Sequence, residues 1–253
     1  MKFEKTKDFN MNSAIALDRI RIVLSHTSHP GNIGAAARAM KTMGLSKLYL
    51  VNPESFPDPV AMARASGAAD VIASACVVSS LEEALQGTVF SAAVTARKRE
   101  RAIPLKFARE AAPEVVAFAE QHGDVAVVFG TEKSGLTNEE VEMCSMPVTI
   151  PANPVYSSLN LGAAVQLMCY ELRMAALSSV ASDESLPAAA SFEEVEGFHR
   201  HFEQAMISSG FYDPSNPKRL LQRVRRLFGR IRLEKEEVNI LRGILSAFER
   251  KVD

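Results

Sequence analysis

Five consecutive apolar residues, Val125-Ala-Val-Val-Phe129, constrain the fold of this chain more than any other feature. A strand wetted on one face alternates apolar with polar side chains, whereas an unbroken apolar run needs cover on both faces. Shorter apolar runs recur at Ile20-Arg-Ile-Val-Leu24, Lys47-Leu-Tyr-Leu-Val51, Ala75-Cys-Val-Val78, Val89-Phe-Ser-Ala-Ala-Val94 and Val148-Thr-Ile150. Between them, helical periodicity predicts helices over 33–43, 60–69, 81–85, 104–121 and 159–177, with Pro104 opening the fourth. This alternation predicts an α/β fold with a mainly parallel sheet and helices on both faces.

With 253 residues, 47% of them hydrophobic, the chain can bury one full core and carry an appendage. Composition changes at Ser178, where Ser178-Ser-Val-Ala-Ser-Asp-Glu-Ser-Leu-Pro-Ala-Ala-Ala-Ser191 reads as a linker. Beyond it, three amphipathic stripes run through Phe192, Val195, Phe198, Phe202 and Met206, then Leu220 to Ile231, then Val238 to Phe248. The expected division is an α/β domain over 1–177, a linker over 178–191 and a small helical extension over 192–253.

No run reaches the roughly 20 apolar residues that span a bilayer, and the start, Met1-Lys-Phe-Glu-Lys-Thr-Lys-Asp8, lacks a secretion signal's apolar core. Cys76, Cys144 and Cys169 are odd in number and widely spaced, so reduced thiols in a cytosolic protein are expected. His26 and His29 lack a third ligand at metal spacing, and no metal or membrane is expected. The net charge of −1 is not that of a general nucleic-acid binder. Phosphate contacts need only a local patch, however. Two patches exist: Arg97-Lys98-Arg99-Glu100-Arg101, and seven Lys and Arg residues from Lys218 to Arg232 with no acidic residue among them.

Three loops at predicted strand ends carry the residues with chemistry. In Ser25-His-Thr-Ser-His-Pro-Gly-Asn32-Ile-Gly34, Asn32 suits a helix N-cap. Gly34 leaves the first turn bare, and Arg38 stands one turn further on. The motif fits either a ligand approaching the helix start or an ordinary capped helix with a solvated arginine. In Phe129-Gly-Thr-Glu132-Lys-Ser-Gly135-Leu136, a buried strand breaks at Gly130 and brings Glu132 to the rim of the same crevice. A plain tight turn is equally compatible with that pattern. In Ile150-Pro-Ala-Asn-Pro-Val-Tyr-Ser-Ser-Leu-Asn-Leu-Gly162, two prolines stiffen a loop whose hydroxyls meet a predicted helix start. Free N–H groups there, with Ser and Asn side chains, make a polar cradle.

Together, Asn32-Ile-Gly34-Ala-Ala-Ala-Arg38, the Gly130-x-Glu132-x-x-Gly135-Leu136 spacing and the Ile150–Gly162 loop resemble the three motifs of the SPOUT RNA methyltransferases. The resemblance covers residues 18–177 strongly and the helical tail more loosely. It implies a C-terminal trefoil knot, S-adenosyl-L-methionine bound in a bent shape, and a homodimer that admits RNA between subunits. Carried over by position, it places cofactor contacts at Thr95, Ala96, Gly130, Ile150, Ser157, Ser158 and Leu159. It places Asn32, Arg38, Glu132, Ser157 and Asn160 nearest the reacting ribose, with Arg38 stabilising the developing alkoxide or acting as base. The helical tail points, within the family, to enzymes that methylate a pyrimidine ribose in the tRNA anticodon loop. Two other readings stay open: the same fold acting on ribosomal RNA or a base atom, and a non-catalytic RNA-binding dimer.

Overall fold

The computed structural model describes residues 15–96, 104–178 and 188–249. Its strands are β1 (Ile20–Ser25), β2 (Lys47–Val51), β3 (Cys76–Val78), β4 (Phe90–Val94), β5 (Lys106–Phe107), β6 (Val125–Phe129) and β7 (Met146–Thr149). The helices are α1 (Pro30–Met43), α2 (Pro59–Ala65), α3 (Ala69–Ala73), α4 (Leu81–Leu85), α5 (Ala108–Gln121), α6 (Asn138–Glu142) and α7 (Leu161–Ser178). Three more follow in the tail: α8 (Phe192–Ser208), α9 (Leu220–Phe228) and α10 (Lys235–Glu249). All seven strands join one sheet in the order β3-β2-β1-β6-β4-β7-β5, and every pairing is parallel.

The apolar run of β6 does what its composition requires. Val125, Val127 and Phe129 face one core, built with Ile33 and Met40 of α1, Val115 of α5 and Val165 and Met168 of α7. Ala126 and Val128 face a second core with Leu81 and Leu85 of α4, Val141 of α6 and Cys144. Burial of both faces is what a central parallel strand needs.

Several boundaries differ from the sequence reading, each for a local reason. Helix α1 starts at Pro30 rather than at residue 33: proline suits the first helical position, and His29 supplies the cap. The helix predicted over 60–69 breaks at Ser66, whose φ of 51° leaves the right-handed region, and resumes as a 3-10 turn and α3. Lys106 and Phe107 pair with β7 as a strand, so α5 begins at Ala108 and Pro104 does not open it. Helix α6 is short and polar and was not anticipated. Helix α7 starts at Leu161, leaving Leu159 and Asn160 in the loop before it.

The tail helices form their own small core around Phe198, Leu233 and Val238, with Phe228 edge-on to Phe198 at 4.7 Å. Arg232 reaches from this tail onto the Phe90 and Phe118 rings, 5.2 and 5.5 Å away, and pairs with Glu114. Arg225 forms two bonds to Glu196, at 2.5 and 2.7 Å. Two of the seven basic residues are therefore spent on packing, while Lys218, Arg219, Arg223 and Arg230 are exposed. The helix there covers only Leu220–Phe228, shorter than the predicted amphipathic stripe. The basic run 97–101 lies outside the described residues.

Candidate active site

Because every strand is parallel, the loops after β1, β4, β6 and β7 all leave from the same edge of the sheet. That edge, where strand order reverses beside β1, is where open α/β sheets bind ligands. One side chain ties the loops together. Glu132, in the loop after β6, accepts from Ser28 N (3.2 Å), Ser28 Oγ (3.0 Å), His29 N (3.2 Å) and Asn32 Nδ2 (2.9 Å). The Asn32 carbonyl oxygen in turn accepts from Asn160 Nδ2 at 3.0 Å. Asn160 Oδ1 then accepts from Gly162 N at 3.0 Å and so caps α7. The chain Glu132–Asn32–Asn160 thus joins three loops that stand 28 and 100 residues apart in sequence.

This geometry fixes the charge on Glu132. Burial alone would raise its carboxyl, but the Asn32 amide and the backbone N–H groups around it outweigh burial and lower the pKa to about 2. An acid so stabilised as its anion is a clamp on the β1–α1 loop and a weak proton acceptor.

Asn32 is not the cap of α1: His29 is, its Nδ1 accepting from Gly31 N at 3.0 Å. Nor does Gly34 leave room for a ligand, because a Cβ there would collide with the Ala61 carbonyl of α2. Gly130 is likewise a packing glycine, since a Cβ would strike the backbone of Gly135 and Leu136 as the loop folds back on itself. Gly135, at φ 67°, closes that turn.

Thr95 is buried after β4 with its N–H on the Val148 carbonyl at 2.8 Å, and Ala96 beside it is exposed. Ile150 is half-buried against the main core, as is Ser157 in its loop, while Ser158 and Leu159 are exposed. Among the described residues, the backbone N–H groups of Ser157, Ser158 and Leu159 have no protein acceptor. Three successive free donors leading into a helix start fit a ligand held by backbone contacts. Arg38 is exposed and has no hydrogen-bond or ion-pair partner among the described residues. It lies six residues beyond Asn32, about 9 Å along the helix, on the solvent flank of the seam where Thr42 meets Gln166. The same flank of α7 exposes Leu167, Tyr170 and Met174.

The sequence reading missed Ser28, His29 and Glu140. Ser28 and His29 are the partners of Glu132, and the Pro30-Gly31 that follows them was the available signal for a helix start. Glu140 accepts from the Ser25 hydroxyl and closes a capping box with Thr137. The Thr137-x-x-Glu140 spacing was the signal there. Cys144 and Cys169 are buried and Cys76 is exposed, none of them in a disulfide among the described residues; burial pushes the Cys169 thiol up. No helix among the described residues is long and apolar enough to cross a membrane.

Comparison with known proteins supplies the family. Residues 19–170 match the model of the SpoU rRNA Methylase family, and residues 193–253 match the C-terminal domain of the tRNA methyltransferase TrmJ. The tRNA (cytidine/uridine/adenosine-2'-O-)-methyltransferase TrmJ of Pseudomonas aeruginosa is 49% identical, covering 91% of this chain and 93% of its own. The tRNA (cytidine/uridine-2'-O-)-methyltransferase TrmJ of Pectobacterium atrosepticum is 47% identical, covering 94% and 99%. Among solved structures, TrmJ from Z. mobilis ZM4 superposes with a TM-score of 0.79 at 33% identity, over 90% of this chain and 98% of that one. The SpoU methyltransferase AviRb of Streptomyces viridochromogenes, solved with AdoMet, shares the fold at a TM-score of 0.53 and 20% identity, over 64% of this chain and 60% of that one.

Proposed function

This chain belongs to the SpoU rRNA methylase family, and from that premise we propose that it is a tRNA (cytidine/uridine-2'-O-)-methyltransferase. The acceptor is the ribose 2′-hydroxyl of a pyrimidine at position 32 in the anticodon loop, and the donor is S-adenosyl-L-methionine. The protein acts in the cytoplasm. The observation that carries the reading is the Glu132–Asn32–Asn160 chain, which holds three distant loops against one sheet edge. The names of the relatives support a tRNA ribose over ribosomal RNA or a base, and the Pectobacterium atrosepticum name, limited to cytidine and uridine, supports a pyrimidine. Residues 1–177 would be the catalytic domain, 178–191 a linker and 192–253 a tRNA-binding extension, with Lys218, Arg219, Arg223 and Arg230 facing phosphate.

S-Adenosyl-L-methionine supplies an electrophilic methyl group with its leaving group built in. Contacts to it would come from the small residues Thr95 and Ala96, the turn at Gly130, Ile150, and the free N–H groups of Ser157, Ser158 and Leu159. The protein's remaining tasks are to align the acceptor oxygen and to stabilise charge as its proton leaves. Asn32 and Asn160 are oriented for the first task by their mutual bond, and Ser157 stands in the same loop as Asn160. Arg38 takes the second, because a guanidinium stays protonated and acts best as an electrostatic partner. Glu132 serves indirectly, by fixing the loop from which Asn32 and α1 start.

A homodimer completes this reading. Leu167, Tyr170 and Met174 form an exposed apolar stripe at spacings of three and four on α7, and a second copy on that stripe would bring its Arg38 close to this crevice. Calorimetry with S-adenosyl-L-methionine tests the donor. The expected result is saturable binding that weakens when Ser158→Pro removes one of the three N–H donors. A flat titration of the wild-type chain would contradict the assignment and favour an RNA-binding protein without activity.

A further inference from the structure

Resting on the reading above, we propose that His29 is a substrate-contacting residue that donates a hydrogen bond from its Nε2–H to the acceptor RNA. The side chain is exposed, yet three features hold it in place. Its Nδ1 accepts from Gly31 N at 3.0 Å, so the cap itself fixes the ring proton on Nε2. Its ring lies over Gly31 so closely that a Cβ at that position would come within 2.9 Å of Cε1 and Nδ1. Its backbone N–H is bound by Glu132 Oε1 at 3.2 Å, the same oxygen that accepts from Asn32. The outward nitrogen is therefore an oriented donor at the crevice edge.

Capping does not require an imidazole. Ser, Thr, Asp or Asn cap helices well with a shorter side chain and a single acceptor. What histidine adds is a second, opposite nitrogen, a donor projecting beyond the helix start. Two further features of this loop accompany the cap. His26 sits in the left-handed region at φ 52°, a strained position for a non-glycine residue. Thr27 is 1% exposed, and its Oγ1 has no hydrogen-bond partner. Strain and an unsatisfied buried hydroxyl within four residues of an oriented donor fit a loop shaped for a ligand. The ligand on this edge is polyanionic RNA, and the acceptor is a phosphate oxygen or ribose oxygen of the nucleotide beside the reacting one. Besides Glu132, which is bonded to its backbone, the charged residues Asp58 and Arg64 stand beside this turn.

His29→Asn separates the two roles, because the asparagine carbonyl retains the cap while the outward donor is lost. Against wild type, thermal melting and S-adenosyl-L-methionine affinity should be unchanged. The KM for unmodified tRNA should rise about tenfold or more, with a smaller change in kcat. Since the lost donor carries no formal charge, the salt dependence of tRNA binding should keep its wild-type slope. Wild-type kcat/KM in His29→Asn would overturn the assignment of His29 while leaving the methyltransferase reading intact. A loss confined to melting temperature, restored when the cap is supplied by Asp in His29→Asp, would show capping alone and overturn it as well. If the wild-type chain neither binds nor methylates tRNA, the functional reading fails, and His29's role fails with it.

Discussion

Replacing Glu132 with Gln asks whether one carboxylate organises the site. Each of its oxygens accepts two donors: Ser28 N and Ser28 Oγ on one, His29 N and Asn32 Nδ2 on the other. Glutamine keeps one oxygen for His29 N and Asn32 and turns an NH₂ toward Ser28, where the N–H meets a donor and the hydroxyl must turn round to accept, so two bonds to the carboxylate are lost. Hydrogen bonds to a charged group contribute about 1.5–3 kcal/mol each. Three of these four are 3.0 Å or longer and the group is partly solvated, so about 1 kcal/mol for each lost bond is the better figure. A total near 2 kcal/mol lowers the melting temperature of a chain this long by about 4–8 °C. The pH dependence has a definite sign. The folded carboxyl lies at about 2, below its ordinary 4.5, so its contribution is complete above the unfolded value and fades as pH falls toward the folded one. Melting curves of wild type and Glu132→Gln should therefore differ by a constant amount from neutral pH down to about 5 and converge below it. Methyl transfer should fall by about 10–100-fold, because the loop that positions Asn32 is no longer clamped by a charge. An unchanged melting temperature, or a gap that persists undiminished in acid, would refute the clamp.

Gly130→Ala should destabilise the chain by about 3 kcal/mol or more, since the added methyl meets backbone rather than a side chain that can turn away; a urea melt matching wild type would contradict this. Arg38→Ala should cut turnover by about 100-fold or more with S-adenosyl-L-methionine affinity retained, and wild-type turnover would remove Arg38 from the mechanism. Reversing Arg219, Arg223 and Arg230 to Glu should weaken tRNA binding and flatten its salt dependence by about two to three in log–log slope. An unchanged slope would leave the exposed charges as a solvated face.

The sequence made the sheet legible because its strands are short apolar runs, and a run such as Val125–Phe129 has few other uses. Boundaries failed where a polar atom rather than periodicity decided them. An imidazole caps α1, so Asn32 was freed to reach Glu132 and Asn160, and no spacing rule encodes a bond across 128 residues. Lys106–Phe107 is a strand only because β7 lies beside it. Gly34 and Gly130 each fit either a ligand approach or an ordinary cap or turn in sequence; Ala61 of α2 closes the space at Gly34, and the loop folding back on itself closes it at Gly130. The tail's basic run looked uniform in sequence, but Arg225 and Arg232 face Glu196 and Glu114, which lie 29 and 118 residues away. A trefoil knot is implied by the family resemblance alone, since periodicity carries no information about how a chain passes through a loop.

The most direct measurement is to incubate the protein with methyl-labelled S-adenosyl-L-methionine and unmodified tRNA, then map the labelled nucleotide by nuclease digestion. The account predicts a single labelled pyrimidine in the anticodon loop, with the methyl on the ribose oxygen and the adjoining phosphodiester resistant to alkali. Label on a base atom, or on ribosomal RNA with tRNA untouched, would contradict it.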